Sequence, residues 1–185
     1  MRIFLAFPIP EAIRNEAANV ASLVRKKYPY LEAKWALPVN MHVTIEFLGS
    51  LTDKQLQVVK DCLMYQTKKV APFCYRALTI TAFPNVHHPD TIVITVGEAD
   101  TAFSVLLRKA IHEELSLFNL SRDFKLWRPH ITLARVKNPG EVAVTDCSLL
   151  PLPNLEWKVD RLELIESKLT THGAQYCVLE QFPLG

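Results

Sequence analysis

Between Asn40 and Gly49 apolar residues alternate with polar ones, and Met41, Val43, Ile45 and Phe47 occupy the apolar positions. Strict alternation marks a strand with one buried face. It predicts a strand over Met41–Leu48, closed by Gly49, with those four side chains in the core and His42 and Thr44 together on the opposite face. The same pattern returns in "WRPHITLARV", residues 127–136, where Ile131 and Leu133 turn inward and His130 and Thr132 outward.

The other segments read as helices and strands in mixed order. Arg2–Phe7 is β-rich and stops at Pro8 and Pro10. Pro10 followed by Glu11 suits a helix start, and Ile13, Ala17, Val20, Leu23 and Val24 keep helical spacing to about Lys27. "WALP" is a short extended piece. Thr52 is suited to cap a second helix with Leu56, Val59 and Leu63 on one face. Tyr75–Phe83 and Thr91–Val96 form a hairpin across the turn-rich "PNVHHPD". Asp100 is expected to cap a third helix reaching about Phe118, with Phe103, Leu106, Leu107, Ala110, Ile111 and Leu115 facing the core. A proline-containing connection (Leu149–Asn154), a long strand Trp157–Lys168 and a last strand near Gln175–Glu180 complete the chain. Hairpins among interspersed helices favour an antiparallel α+β fold over a doubly wound parallel sheet. The twofold occurrence of a strand with the same motif suggests two similar lobes. No linker divides residues 1–185, which read as one domain.

Composition narrows the function class. Of 185 residues 49% are apolar and 22% charged, ordinary for a globular protein, and the net charge is +2. That allows a local phosphate site and argues against a long nucleic-acid footprint, which clusters Lys and Arg. The run Arg25-Lys26-Lys27 fits a solvated helix end. Cys62, Cys74, Cys147 and Cys177 are scattered with no Cys-x-x-Cys pair, the usage of reduced thiols in a cytoplasmic protein. No apolar run has the length of a signal peptide core or a membrane span.

The two motifs are the chemistry-bearing feature. Each sets an imidazole and a hydroxyl side by side on a rigid strand, and if the strands adjoin, four groups converge. Phosphodiester cleavage needs a base for the nucleophile and an acid for the departing alkoxide, and histidine supplies either near neutral pH. The Thr44 and Thr132 hydroxyls are suited to the non-bridging oxygens. Such a site calls for no metal or other cofactor. A single His-x-Thr is commonly just a satisfied pair in a sheet, and it is the repetition that points to function. Arg128 shares the parity of His130 and is a candidate for the cleft. Arg135 reaches that face only if a bulge or the strand's end turns it. Trp35 and Phe7 are candidates to stack on a base, with core packing as the alternative for both. His87, His88 and His172 sit in turn-like segments and read as solvated, and the "HEEL" around His112 lacks the second histidine of a zinc motif.

"KWALPVNMHVTIEFLGSL" and "RPHITLAR" resemble the two signatures of the two-histidine phosphoesterase superfamily. The opening "RIFLAFPIPEAIR", the "AFP" before the hairpin and the closing "ELIESKLTTHGAQYCVLE" are similar to its LigT-like (ThpR) RNA 2′,3′-cyclic phosphodiesterase branch. The resemblance implies two pseudo-symmetric lobes of antiparallel strands with outer helices and a central cleft carrying both motifs. It implies His42 as proton donor, His130 as proton acceptor, and Thr44 and Thr132 as phosphate ligands. It also makes Arg135 a phosphate or nucleoside contact. The implied reaction opens an RNA 2′,3′-cyclic phosphate to a 2′-phosphomonoester, with reversible 2′,5′ ligation of tRNA halves as its counterpart. The implied protein acts on RNA ends without a metal, no membrane is expected, and monomer is the default oligomeric state. The alternatives are a phosphodiesterase for 2′,5′-linked oligonucleotides or small cyclic phosphates, and a module that binds RNA ends without turning them over.

Overall fold

The computed structural model describes residues 1–98, 101–121, 126–171 and 173–185. Its strands are β1 (Arg2–Pro8), β2 (Ala33–Trp35), β3 (His42–Ser50), β4 (Phe73–Pro84), β5 (Pro89–Glu98), β6 (His130–Val136), β7 (Glu156–Val159), β8 (Arg161–Thr170) and β9 (Gly173–Pro183). The helices are α1 (Glu11–Lys27), α2 (Asp53–Thr67) and α3 (Phe103–Ser116).

All strand pairings are antiparallel, in the order β7-β4-β5-β6-β3-β1-β8-β9, with β2 added beside β6. The order has a centre. On either side of the β3–β6 seam lie four strands, the motif strand innermost: β6, β5, β4 and β7 on one side, β3, β1, β8 and β9 on the other. The seam itself is held by a single ladder pair, Val43 opposite Ile131. The result is the expected α+β architecture of two pseudo-symmetric lobes with a cleft between them.

One face of this sheet carries the main core, in which Leu5, Phe7, Val43, Ile80, Ile94, Ile131 and Leu133 pack with Leu63 of α2 and Ile111 of α3. The other face is the cleft, floored on the β1 side by a separate small cluster of Phe4, Ala6 and Ile165. Helix α2 starts at the expected cap, Thr52: Gln55 N–H donates to Thr52 Oγ1 while Thr52 N–H donates to the Gln55 side chain. This reciprocal pairing satisfies two amides that the helix cannot.

Three expectations change. Asp100 lies outside the described residues, and the first-turn amides of α3 are capped from β5, with Phe103 and Ser104 N–H each 2.8 Å from the Glu98 carboxylate. Leu106 is 57% exposed, because the buried stripe of α3 runs through Ser104, Leu107, Ile111 and Leu115. The long strand expected over Trp157–Lys168 is two strands broken at Asp160. There the chain crosses from β7, paired with β4, to β8, paired with β1, at the opposite half of the sheet.

Candidate active site

Antiparallel pairing of Val43 with Ile131 sets Thr44 opposite His130 and His42 opposite Thr132. The four motif side chains therefore share the cleft face, and the two histidine positions are diagonal neighbours, roughly 7–8 Å apart at the backbone. Rows of side chains extend across the sheet from this block. Ala6 is paired with Thr44, and Thr95 with His130. The methyl of Ala6 leaves the floor beside Thr44 low, which gives a phosphate room to approach.

Each motif strand is bulged just past its threonine. Between β1 and β3 the register slips so that Ala6 pairs with Thr44 but Leu5 with Glu46, leaving Ile45 extra. Between β5 and β6 it slips so that Val93 pairs with Thr132 but Ile92 with Ala134, leaving Leu133 extra. A bulge reverses the parity of everything beyond it. Ile45 and Glu46 are consequently both buried, as are Leu133 and Ala134. Phe47, expected in the core, is 59% exposed on the cleft side, and its core place is taken by Leu48. The same device brings Arg135 to the face of His130. The two halves thus present His-x-Thr-x-x-Phe and His-x-Thr-x-x-Arg, with the last residue of each delivered by a bulge.

Both imidazoles are anchored alike. Nδ1 of His42 lies 2.7 Å from Asn40 O, and Nδ1 of His130 lies 2.7 Å from Arg128 O. A carbonyl only accepts, so Nδ1 carries the hydrogen and Nε2 is the nitrogen left with its lone pair in each neutral ring. His42 Nε2 lies 3.0 Å from Thr44 Oγ1. Aromatic rings flank the pair: Phe4 at 4.9 Å and Tyr176 at 5.4 Å from His42, and Phe83 edge-on at 5.1 Å from His130. Burial lowers both imidazoles below their ordinary value. For His42 the value falls to about 4; its bond to Asn40 opposes the drop, and the charges of His130 and Arg135 deepen it. For His130 burial again leads, opposed by the bond to Arg128 and aided by Arg135. Two hollows open beside the rings. One of about 510 Å³ is lined by Thr44, His130, Phe47, Phe83 and Trp127. One of about 430 Å³ lies on the His42 side against Tyr176, Arg14 and Arg161.

A polar group that sequence reading missed holds the β3 bulge from behind. Arg108 Nε donates to Ile45 O at 3.1 Å and its Nη2 lies 3.1 Å from the Glu46 carboxylate, whose side chain is 0% exposed. His112 Nδ1 lies 3.2 Å from the same carboxylate, and Ser121 Oγ also donates to it. Trp127 Nε1 donates to Thr44 O at 2.9 Å. No spacing rule reveals these contacts, because they join side chains from α3 and the segment between α3 and β6 to main-chain atoms and one buried carboxylate of β3.

The remaining candidates separate by face. Arg128 is exposed, with its guanidinium 5.9 Å from the Phe83 ring at the cleft. Phe7 is fully buried against Phe73 and Tyr75 on the core side, so the idea that it stacks on a base is withdrawn. Trp35 packs on the core as well, opposite Ala134, and not on the cleft face. His87 and His88 are not at the cleft; their backbone N–H groups donate to the Asn85 side chain. His172 lies outside the described residues.

The family model described as LigT like Phosphoesterase matches residues 7–93, a span that includes the first motif. A protein named RNA 2′,3′-cyclic phosphodiesterase from Thermus thermophilus is 30% identical over 188 residues, covering 100% of this chain and 90% of that protein. The chain belongs to the LigT-like phosphoesterases. A protein of the same name from Aquifex aeolicus is 29% identical, with 100% of this chain and 98% of that protein covered. Among solved structures, a Thermus thermophilus protein superposes with a TM-score of 0.81 at 28% identity, over 100% of this chain and 98% of that one. At 17% identity, the Escherichia coli LigT complexed with 3′-AMP shares the LigT-like fold, with a TM-score of 0.79. These likenesses bear out the family resemblance and the lobed fold that the motifs implied.

Proposed function

We propose that this chain hydrolyses RNA 2′,3′-cyclic phosphates to 2′-phosphomonoesters by acid–base catalysis between His42 and His130. The observation that carries the reading is the Val43–Ile131 pair: with strand alternation it supports one shared face for both imidazoles and both motif hydroxyls. The names of the relatives support the substrate class. His130 Nε2 removes a proton from water as its oxygen bonds to phosphorus. The P–O3′ bond breaks on the opposite side, and protonated His42 gives its Nε2 proton to the departing O3′. Thr44 and Thr132 hold the non-bridging oxygens as charge builds there. The two protons exchange with solvent after release. Phe47, Phe83 and Trp127 offer aromatic surface for the terminal base, which suits stacking without base-specific readout. No resident metal or cofactor enters this reading. It takes residues 1–185 as one domain acting as a monomer on RNA ends such as tRNA fragments. A cytoplasmic setting accords with four free cysteines.

The deciding experiment uses a short RNA ending in a 2′,3′-cyclic phosphate. The expected product carries its phosphate on O2′; a 3′-phosphate product, or unchanged substrate, overturns the proposal.

The lowered imidazoles set the pH dependence. Only the singly protonated pair is competent, since full protonation removes the base and full deprotonation removes the acid. Both groups sit below the ordinary 6.5, so the bell of kcat/KM, which reports the free enzyme, should peak on the acidic side of that value. A bound phosphate anion favours the charged imidazole, so the kcat bell should lie at higher pH than the kcat/KM bell. An optimum of kcat/KM above pH 7 would refute the assignment.

A further inference from the structure

The sheet beyond the motif block carries a second pair of groups that the hydrolysis of one phosphate does not use. In the β2–β6 ladder Lys34 is directly opposite Arg135, and Arg135 is in turn opposite Thr91 of β5. Trp35, next to Lys34, packs on the core. Strand alternation therefore puts Lys34 on the other face, the cleft face it shares with Arg135 after the β6 bulge. Both side chains are exposed.

Like charges directly opposite each other on a sheet are destabilising. The same ladder avoids this nearby: past the Ala33–Val136 pair, Lys137 N–H donates to Glu32 O, and the Lys137 ammonium lies 3.7 Å from the Glu32 carboxylate. Among the described residues neither Lys34 nor Arg135 makes an ion pair. Asp90, the neighbour of Thr91, borders the hollow beside Phe83 and is not paired with either cation. Two adjacent cations, without an ion-pair partner among the described residues and with a threonine hydroxyl in the same row, form a site suited to an anion. The row lies outward of Thr132, where a chain leaving the motif block along β6 would pass.

We propose that Lys34 and Arg135, with Thr91, bind a second phosphate of the RNA chain, the linkage that joins the terminal nucleotide to its neighbour. This rests on the hydrolase reading above and extends it: the preferred substrate is an oligonucleotide end and not a cyclic mononucleotide. Each phosphate contact on a single strand contributes about 0.7 to the slope of log affinity against log salt.

The test compares kcat/KM for a nucleoside 2′,3′-cyclic phosphate and for a trinucleotide ending in the same group, over a range of potassium chloride. The unaltered protein should prefer the trinucleotide, and more so at low salt. Lys34→Gln should lower the trinucleotide-to-mononucleotide ratio severalfold and flatten the trinucleotide salt slope by about 0.7, and Lys34→Arg should restore both. Absence of a preference in the unaltered protein overturns the subsite, as does a Lys34→Gln variant that leaves ratio and slope unchanged or weakens both substrates equally. If neither substrate is turned over, the hydrolase reading is what fails. In that case binding of the trinucleotide carrying an ordinary 3′-phosphate decides the subsite by whether Lys34→Gln weakens it.

Discussion

Alanine at His42 or at His130 is expected to lower kcat on a cyclic phosphate by about 10²–10⁴ each, the range for loss of a positioned general acid or base. The double variant should lose little more than the worse single one, because the two imidazoles act on one displacement and residues that work as a unit are not additive. Both histidines are partly exposed, so both variants should unfold near the temperature of the unaltered protein, which circular dichroism would check. The two roles can be separated. A phosphodiester with p-nitrophenolate as leaving group needs no proton on departure, so the His42→Ala deficit should shrink on that substrate while the His130→Ala deficit persists. Rescue of the His130 variant instead would exchange the roles. Retention of more than a tenth of wild-type kcat by either variant would remove the acid–base pair from the mechanism.

Much of this site is legible in the sequence because a strand writes its two faces as alternate letters. The alternation in 41–48 and 127–136 is enough to place each imidazole beside its hydroxyl on one face of its own strand; that the two faces coincide follows from the Val43–Ile131 pair. It fails where the backbone stops alternating. The bulges at Ile45 and Leu133 are set by which residue pairs across the ladder, and nothing in "HVTIEF" marks the extra residue. Alternation therefore puts Phe47 on the wrong side, whereas the chemistry of Arg135 conflicts with its parity and so signals the need for a bulge. Phe7 shows the converse: an aromatic near a motif is more cheaply explained by the core than by a ligand. The break at Asp160 is hidden for a related reason, since β7 and β8 both read as strand and only their partners in different halves of the sheet separate them. Capping of α3 from Glu98 and the contacts behind β3 depend on tertiary proximity that no local pattern records.

Glu46→Ala should cost about 3–5 kcal/mol of stability, the range for removing one partner of a buried ion pair. The carboxylate is 0% exposed and the Arg108 side chain 13%, so truncation takes a counter-charge from beside a poorly solvated guanidinium and opens a cavity there. By contrast, the pair Lys109–Glu113 on α3 has its side chains 70% and 64% exposed, and Glu113→Ala should cost no more than about 0.5 kcal/mol. Urea titration of both variants measures the difference. Because Arg108 also holds Ile45 O, loss of Glu46 should loosen the bulge that aims Phe47 and Thr44. Turnover should then fall even at temperatures where the variant remains folded, although the Glu46 side chain is itself fully buried. Replacing both partners with apolar residues, Glu46→Met with Arg108→Met, removes both buried charges and should recover part of the stability but not the turnover, since Ile45 O loses its donor. A Glu46→Ala protein within about 1 kcal/mol of the parent, or one that is destabilised yet fully active while folded, would show that the bulge is held by the strand ladder alone.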